Sequence, residues 1–233
     1  MKKNEQTKIV VIIPAYNEEG SIAHVINDIP KELVTEIVVC NNNSNDSTKE
    51  VAVEAGATVL DEPRAGYGWA CLKGMEYASQ MKQPPDVIVF LDGDYSDYPQ
   101  EMHAVVAPII EEDADMVIGS RALGNREKGS MTFPQRFGNV LATKMMRIFY
   151  NAKFTDLGPF RAIKYDKLMA LGMQDKTYGW TIEMQIKAAK QKLAFTEVPV
   201  NYKKRIGKSK VSGTVKGVIM AGYKIMWAIF KYL

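Results

Sequence analysis

Two aspartates separated by one glycine are the residues of this sequence best suited to chemistry. They follow residues 87–91, an apolar run rich in β-branched and aromatic side chains that predicts a buried strand. Gly93 allows a tight turn between Asp92 and Asp94 and leaves room for a ligand. Two carboxylates at the end of a buried strand cost free energy unless a positive charge neutralises them. A divalent cation that also holds a diphosphate would do so, and the alternative is a solvated acidic turn.

The composition is typical of a soluble globular protein. The chain has 233 residues, of which 46% are apolar and 24% charged, enough for one large α/β domain. A net charge of +3 does not indicate a nucleic-acid partner. Cys40 and Cys71 lie in or beside predicted core elements, which indicates a reducing compartment, and residues 1–8 do not resemble a signal peptide. His24 and His103 fall within predicted helices, without metal-site or triad spacing, and we interpret both as structural.

Strands and helices alternate along the first third of the chain. Runs of branched residues predict strands at 9–13, 36–40 and 57–60, with helices between them. This order is typical of a doubly wound, mostly parallel sheet flanked by helices. Ligands bind such sheets beyond the carboxyl ends of the strands, so the segments that follow the strands should converge on one edge. Those segments are residues 14–18, 41–46 and 92–94.

The remaining two thirds continue in the same way. One segment is different, because residues 122–131 are glycine-rich, charged and without periodicity, and either a lid or a plain surface insertion fits them. We predict a single catalytic domain over residues 1–213 and a C-terminal apolar helix over residues 214–233. The further elements predicted are helices at 69–81, from 99, 135–150 and from 178, and strands at 115–119, 160–163 and 194–200.

The predicted C-terminal helix is apolar on most of its surface. It is interrupted by Lys216, Lys224 and Lys231, so it falls short of the roughly 20 apolar residues of a membrane span. Either it packs on the domain, or it is amphipathic and lies in a membrane interface, with its lysines reaching the headgroups. Residues 203–216, which lead into it, contain six basic residues and no acid.

Several common chemistries are disfavoured by missing motifs. The glycine fingerprint of dinucleotide-binding proteins does not follow the first strand, and there is no phosphate-loop lysine motif. There is also no serine-histidine-acid set and no reactive cysteine context for covalent catalysis. A nucleotide-type pocket with an acid pair remains. It suits displacement at a carbon that bears a diphosphate leaving group, whose charge a metal and arginines would neutralise.

Three motifs together resemble family 2 glycosyltransferases of the GT-A fold. They are Ile-Pro-Ala-Tyr-Asn-Glu-Glu at 13–19, the strand that ends in Asp92-Gly93-Asp94, and Val-Pro-Val-Asn-Tyr at 198–202 followed by Arg-x-Gly-x-Ser-Lys at 205–210. The last motif makes the chain most similar to the dolichyl (polyprenyl) phosphate mannose or glucose synthase branch. The resemblance covers residue 8 to about 213. It implies a Rossmann-like sheet and a metal-dependent, inverting transfer of a hexose from a nucleoside-diphosphate sugar.

The resemblance also implies roles for individual residues. Asp92 and Asp94 would place Mg²⁺ or Mn²⁺, with Ser96 as a third ligand, and Asp94 would take part in catalysis. Asn42 stands where the family has an acid, which leaves the identity of the base open because asparagine both accepts and donates hydrogen bonds. Together with Asn42, the residues implied to hold the nucleotide sugar are Pro14, Ala15, Tyr16, Glu18, Asp92 and Gly93.

The residues that would bind or activate the acceptor substrate are five polar or basic residues and two further acids. A lipid phosphate is already ionised, so it needs no strong general base, whereas a sugar hydroxyl would need a carboxylate within reach. Asp156 and Glu183 are the candidate bases, and otherwise Asp156 caps a turn and Glu183 is an ordinary helix acid. The residues implied to pair with phosphates are Arg121, Arg136, Arg205, Ser209 and Lys210, with Arg205 also counted as catalytic.

The leading hypothesis is a hexosyltransferase on the cytoplasmic face of a membrane that moves mannose or glucose to a polyprenyl phosphate. One alternative is a transferase that acts on a sugar hydroxyl in cell-envelope glycan synthesis. Another is a nucleotide-sugar binding module without turnover. A nucleotidylyltransferase fits less well, because its glycine-rich loop after the first strand is absent.

Overall fold

Seven strands form one sheet in the structure, a computed structural model that describes residues 7–207 and 215–233. The strands are β1 (Ile9–Ala15), β2 (Glu36–Asn41), β3 (Thr58–Asp61), β4 (Val87–Phe90), β5 (Met116–Ser120), β6 (Arg161–Lys164) and β7 (Phe195–Pro199). Their spatial order is β3-β2-β1-β4-β6-β5-β7. Every pairing is parallel except the two that β6 makes with β4 and β5. The prediction of a mostly parallel sheet flanked by helices is confirmed.

Eight α-helices cover the two faces of the sheet within the described residues. They are α1 (Ile22–Asp28), α2 (Thr48–Glu54), α3 (Tyr67–Gln80), α4 (Met102–Glu111), α5 (Phe133–Tyr150), α6 (Tyr165–Leu171), α7 (Trp180–Lys190) and α8 (Val215–Lys231). Helices α1, α2 and α4 pack on one face, and α3, α5, α6, α7 and α8 on the other. Each face therefore has its own apolar core.

Strand β1 explains why the centre of the sheet reads as an unbroken apolar run. Val10 and Ile12 face one core while Val11 and Ile13 face the other, because successive strand side chains alternate. A parallel strand covered on both sides is apolar on both sides. The buried free thiol of Cys40 fits the same core, and its burial raises the pKa to about 12, which makes it unreactive.

Some boundaries differ from the prediction for identifiable reasons. Helix α5 begins at Phe133 instead of near 135, because Thr132 and Gln135 form a reciprocal capping box. Pro14 does not end β1, which continues through it in register with Cys40. The short helix α6 (Tyr165–Leu171) was not predicted.

Helix α8 packs against α5 and α7 through its C-terminal half. Ala228 and Ile229 are buried, and the Tyr150 hydroxyl of α5 donates to the Ile229 carbonyl. No helix among the described residues is both long and apolar enough to cross a membrane. The division into a domain over 1–213 and a separate helix over 214–233 stays a prediction.

Candidate active site

The segments that follow β1, β2 and β4 meet at the carboxyl edge of the sheet. The Asn17 amide donates to the Ser44 hydroxyl at 3.0 Å, and the Asn45 amide donates to the Asn17 side chain at 2.9 Å. The Glu18 amide donates to the Thr48 hydroxyl at 2.8 Å. These bonds hold the first two segments together beside the acid pair, so the expected convergence is present.

A cavity of about 360 Å³ lies at this edge. Tyr16 and Tyr178 are its more exposed aromatic residues, and a planar base could stack on either. The lining includes every residue that the resemblance implies for the nucleotide sugar: Pro14, Ala15, Tyr16, Glu18, Asn42, Asp92 and Gly93.

The amide of Asn42 is committed to the neighbouring loop. Its Nδ2 donates to the carbonyls of Glu62 at 3.2 Å and Arg64 at 2.8 Å, and its Oδ1 accepts from the Gly66 amide at 2.7 Å. Both donors of the side chain are therefore used. An aspartate in this position would place negative charge against two carbonyl oxygens. These contacts explain why asparagine stands here in place of the acid found in the family. Asn42 shapes the cavity wall, and neither of its amide hydrogens is left to bind a nucleobase.

Asp92 and Asp94 point into the cavity with different partners. Asp92 accepts from the Tyr67 hydroxyl at 3.0 Å, and Asp94 accepts from the Ser96 amide at 2.9 Å and from its hydroxyl. The guanidinium of Arg205 contacts the other oxygen of Asp94. Removal from water raises the pKa of Asp92, and the charge of Arg205 and the Tyr67 hydrogen bond oppose that shift. A divalent cation bound beside Asp92 would favour its ionised form and so offset the cost of burying that carboxylate.

The donor set of the pair fits Mg²⁺ or Mn²⁺ carried in with a diphosphate. Such ions take one or two carboxylates and complete their shell with phosphate oxygens and water. Within residues 7–207 and 215–233, no group of three or more acidic, histidine or cysteine side chains is placed to hold a metal ion. Ser96 is buried, is not among the described lining residues and donates its hydroxyl to Asp94, an arrangement that orients the carboxylate.

A second cavity of about 660 Å³ opens from the same acid pair and extends between α5 and α8. Its walls on these helices are mostly apolar or small, and Lys204, Arg205 and Arg121 also line it. The helix residues that line it are Pro134, Gln135, Phe137, Gly138, Asn139, Leu141 and Ala142 on α5, and Ala221, Gly222, Ile225 and Met226 on α8. The two cavities share Tyr67, Asp92, Asp94, Tyr178 and Arg205. The acid pair therefore lies where two cavities meet, one beside the segments that follow β1 and β2 and the other between α5 and α8.

The glycine-rich loop 122–131 is docked beside this junction. The Tyr202 amide donates to the Asn125 carbonyl at 2.9 Å, and the Glu127 amide donates to the Tyr202 carbonyl at 2.8 Å. The Glu127 carboxylate also accepts from the Lys204 amide at 2.8 Å. Gly129, Ser130 and Met131 then line the larger cavity. The loop forms part of the cavity wall, and movement as a lid stays a prediction.

Arg121 and Asp156 form a buried pair behind the larger cavity. Two parallel hydrogen bonds of 2.8 and 2.7 Å join them, and the Arg121 amide adds a third at 2.8 Å. Burial alone would raise the pKa of Asp156, but the guanidinium and its hydrogen bonds outweigh burial and lower it. Asp156 is not among the described lining residues, while Arg121 is. Asp156, one of the two candidate bases, is thus already paired with the guanidinium of Arg121.

The carboxylate of Glu183 is also engaged. It is fully buried, accepts from the backbone amides of Gln174 and Asp175, and pairs with Lys187 and the Tyr232 hydroxyl. Burial opposes these contacts, which together lower its pKa. Glu183 is not among the described residues that line either cavity.

The remaining predicted phosphate ligands are placed differently. Arg136 is exposed in the first turn of α5 and is not among the described lining residues. Ser209 and Lys210 lie outside the described residues. Sequence reasoning missed Tyr67 and Tyr178, although the glycines on either side of Tyr67 signal a close backbone approach.

Asp97 is an unusual neighbour of the pair. Both of its side-chain oxygens are buried without a hydrogen-bond partner. Burial, together with the negative charge of Asp92, raises the pKa of Asp97 to about 8, so it is protonated at neutral pH. It is not among the described residues that line the cavities.

Comparison with known proteins gives consistent similarities. Residues 10–172 match the sequence model of Glycosyl transferase family 2. The chain is 32% identical over 216 residues to an uncharacterised glycosyltransferase of Mycobacterium bovis, covering 91% of this chain and 94% of that protein. It is 31% identical over 209 residues to a dolichyl-phosphate hexose transferase of Haloferax volcanii, covering 87% and 86%. A crystal structure of glucosyl-3-phosphoglycerate synthase from Mycobacterium tuberculosis in complex with Mn²⁺, UDP and glucosyl-3-phosphoglycerate superposes with a TM-score of 0.78 at 22% identity, covering 99% of this chain and 81% of that one.

Proposed function

We propose that this chain, which belongs to glycosyl transferase family 2, transfers a hexose from a nucleoside-diphosphate sugar to a polyprenyl phosphate at a membrane surface. The predicted family and GT-A fold are confirmed, and the chain is a glycosyltransferase and hence an enzyme. The donor, the acceptor and the membrane are the proposal. The observation that carries it is that two cavities meet at Asp92 and Asp94, one lined by the residues expected to hold a nucleotide sugar and the other by apolar side chains of α5 and α8.

The smaller cavity is assigned to the nucleoside and the acid pair to the diphosphate. A bound divalent cation would neutralise charge on the diphosphate as it leaves. The UDP and Mn²⁺ in the solved synthase complex support this class of donor and metal. Tyr16 offers its ring to the base, and Ser96 and Tyr67 orient the two carboxylates.

The chain's own cation at the junction is Arg205. It lies beside Asp94 in both cavities, where negative charge builds up on the leaving diphosphate oxygens. An acceptor phosphate oxygen would form the bond to the anomeric carbon from the larger cavity, while the bond from that carbon to the diphosphate oxygen breaks. The nucleoside diphosphate leaves with the electron pair, and the configuration is inverted. No proton has to move, because the attacking oxygen is already ionised.

The larger cavity supports an acceptor with an anionic head and an apolar tail. Arg205, where the cavity meets the acid pair, and Lys204 offer positive charge to an anionic head, and α5 and α8 supply mostly apolar walls. A hydroxyl acceptor would need a free carboxylate base, whereas Asp156 and Glu183 are both engaged elsewhere. The resemblance to a dolichyl-phosphate hexose transferase points the same way.

Filling the larger cavity should impair use of a lipid acceptor and spare the donor. Gly222 lines the cavity, and a Cβ added there meets no described atom within 4 Å. Gly222→Trp should therefore fold and raise the KM for a long polyprenyl phosphate by about tenfold or more, because the indole would occupy the space of the polyprenyl tail. Steady-state transfer from radiolabelled GDP- and UDP-hexoses measures this effect.

Gly222→Ala is the matched control, since it adds one methyl group in open space and should retain the wild-type KM. Equal KM values for Gly222→Trp and the wild type would contradict the acceptor assignment. Transfer to a soluble sugar with no transfer to lipid phosphate would favour the hydroxyl alternative.

Exposed side chains on α5 and α8 support a membrane surface as partner. Neither helix contains an acidic residue, and both carry lysine or arginine. Such a face suits an anionic lipid surface. The free buried cysteines fit the predicted cytoplasmic side. The large apolar side chains exposed on the two helices are Phe133, Phe137, Val140, Leu141, Ile148, Phe149, Ile219, Met220, Tyr223, Trp227 and Phe230.

A charge placed on this face should release the protein from membranes. Ile148 on α5 is 74% exposed, so Ile148→Asp should leave the fold intact and lower co-sedimentation with anionic vesicles about fivefold or more. The control is Ile110→Asp, on α4 at the opposite side of the sheet, where the side chain is 47% exposed. Equal vesicle binding by the two variants would contradict this docking face.

A further inference from the structure

Residues 172–179, which we call the α6–α7 loop, form a wall that the two cavities have in common. Thr177 lines the smaller cavity, and Tyr178 lines both. We infer that Glu183 is a positioning residue that ties helix α8 to this loop and so holds Tyr178 at the junction of the cavities. The inference rests on the proposed function only for the identity of what occupies them.

The loop is held at its base by the Glu183 carboxylate. The Gln174 amide donates to both carboxylate oxygens at 3.0 and 3.1 Å, and the Asp175 amide donates to Oε2 at 2.7 Å. Asp175 in turn accepts from the amides of Thr177 at 2.7 Å and Gly179 at 3.0 Å. One carboxylate thus fixes the start of the loop, and the next acid fixes the turn that presents Tyr178.

The same carboxylate is joined to the end of the chain. The Tyr232 hydroxyl, directly after α8, donates to Glu183 Oε1 at 2.6 Å, and Lys187 Nζ lies 2.8 Å from that oxygen. Lys190 Nζ adds a bond to the Tyr232 carbonyl at 2.5 Å. Glu183 therefore contacts both Tyr232, at the end of α8, and the α6–α7 loop. Helix α8 lines the larger cavity, so the carboxylate connects two parts of the cavity wall.

The loop also packs on the helix that supports the acid pair. The Trp69 amide in the first turn of α3 donates to the Lys176 carbonyl at 3.2 Å. A Cβ on Gly68 would lie 2.1 Å from the Asp175 carbonyl oxygen, so the two backbones are as close as they can be. Tyr67, in the same turn, donates to Asp92. A shift of the loop would therefore reach the donor site.

The arrangement separates a positioning role from a general-base role. A base must reach the acceptor, whereas Glu183 is fully buried and its two oxygens are occupied by backbone amides, a lysine and a tyrosine. Loss of the carboxylate should therefore loosen the loop and weaken ligand binding, with the pH profile of transfer retained.

Three variants test the inference. Glu183→Gln removes the charge, and Tyr232→Phe removes only the hydroxyl that joins α8 to the carboxylate. Tyr150→Phe is the matched control, because its hydroxyl also anchors α8, at the Ile229 carbonyl, but has no contact with Glu183. Hydrogen exchange over residues 172–179, dissociation constants for UDP and GDP with Mn²⁺, and pH profiles of hexosyl transfer are measured for each.

We expect exchange at the Gln174 and Asp175 amides to speed up about tenfold in Glu183→Gln and less in Tyr232→Phe, but not in Tyr150→Phe. The nucleotide dissociation constant should rise about threefold to tenfold in the first two variants only. If Glu183→Gln does not fold, the comparison of Tyr232→Phe with Tyr150→Phe carries the test.

Unchanged loop exchange in both Glu183→Gln and Tyr232→Phe would overturn the inference, as would a lost acid limb in the pH profile of Glu183→Gln at wild-type nucleotide affinity. Hydrogen exchange needs no ligand. A wild-type protein that binds no nucleoside diphosphate would therefore refute the proposed function and still leave the positioning role testable.

Discussion

Replacement of Asp94 by asparagine is expected to lower hexosyl transfer by about a thousandfold or more. The amide has nearly the shape of the carboxylate and still accepts from Ser96, so the fold should persist. The amide lacks the negative charge that would attract a divalent cation and that pairs with Arg205. Without the cation, the diphosphate would bind more weakly. Rates of transfer, and titrations of UDP and GDP with and without Mn²⁺ followed by thermal shift, measure the effect. Asp92→Asn should behave similarly.

A matched control for this experiment stands three residues away. Asp97 is a buried acid with a pKa raised to about 8 by burial and by Asp92, so it is already neutral at pH 7. Asp97→Asn therefore changes little charge at that pH and should leave transfer within about threefold of the wild type. Metal-dependent donor binding that survived in both Asp92→Asn and Asp94→Asn would refute the assignment of the acid pair.

The parts of the fold that could be predicted from sequence are those fixed by local pattern. Strands β1, β2 and β4 are buried on both faces, so they appear as unbroken apolar runs. The convergence of the loops after them follows from the parallel topology alone. The start of α5 at Phe133 was missed by two residues, although Thr132 and Gln135 have the spacing of a capping box.

The parts that could not be predicted depend on partners distant in the chain. The antiparallel strand β6 is four residues long, and its direction is set by β4 and β5 on either side. Asp156 pairs with Arg121, which lies 35 residues away in the sequence, and Glu183 accepts from Tyr232, which lies 49 residues away. Nothing in the local pattern distinguishes a carboxylate that is free to act as a base from one that is already paired. The roles of these acids therefore needed the three-dimensional contacts.

The larger cavity illustrates the same limit for function. The apolar character of α8 was plain from sequence, and it left open whether the helix packs on the domain or lies in a membrane. In the structure, α8 packs on the domain through Ala228 and Ile229, which are buried, while Trp227 and Phe230 remain exposed. One helix can therefore take part in the core, in the cavity wall and in the proposed membrane face, because its sides differ.

Asp156→Asn is expected to destabilise the fold by about 3 kcal/mol, since it leaves the guanidinium of Arg121 buried without its counter-charge. The folded-state pKa of Asp156 is lowered, so its stabilising contribution is present above the pKa of about 3.9 in the unfolded chain and is lost as the pH falls through the folded-state value. The variant should therefore lose most stability near neutral pH and differ less from the wild type in acid. Denaturant unfolding at pH 7 and at pH 3 to 4 measures both effects.

The Lys164–Asp113 ion pair provides the control, because Asp113 is exposed and the contact is screened by water. Asp113→Asn should leave the unfolding midpoint unchanged, and asparagine tolerates the positive φ of that position. The comparison also tests the base hypothesis. A structural acid predicts that Asp156→Asn lowers stability and that turnover falls only through disorder at Arg121. A base predicts wild-type stability with transfer abolished, and that result would restore Asp156 as the residue that activates a hydroxyl acceptor.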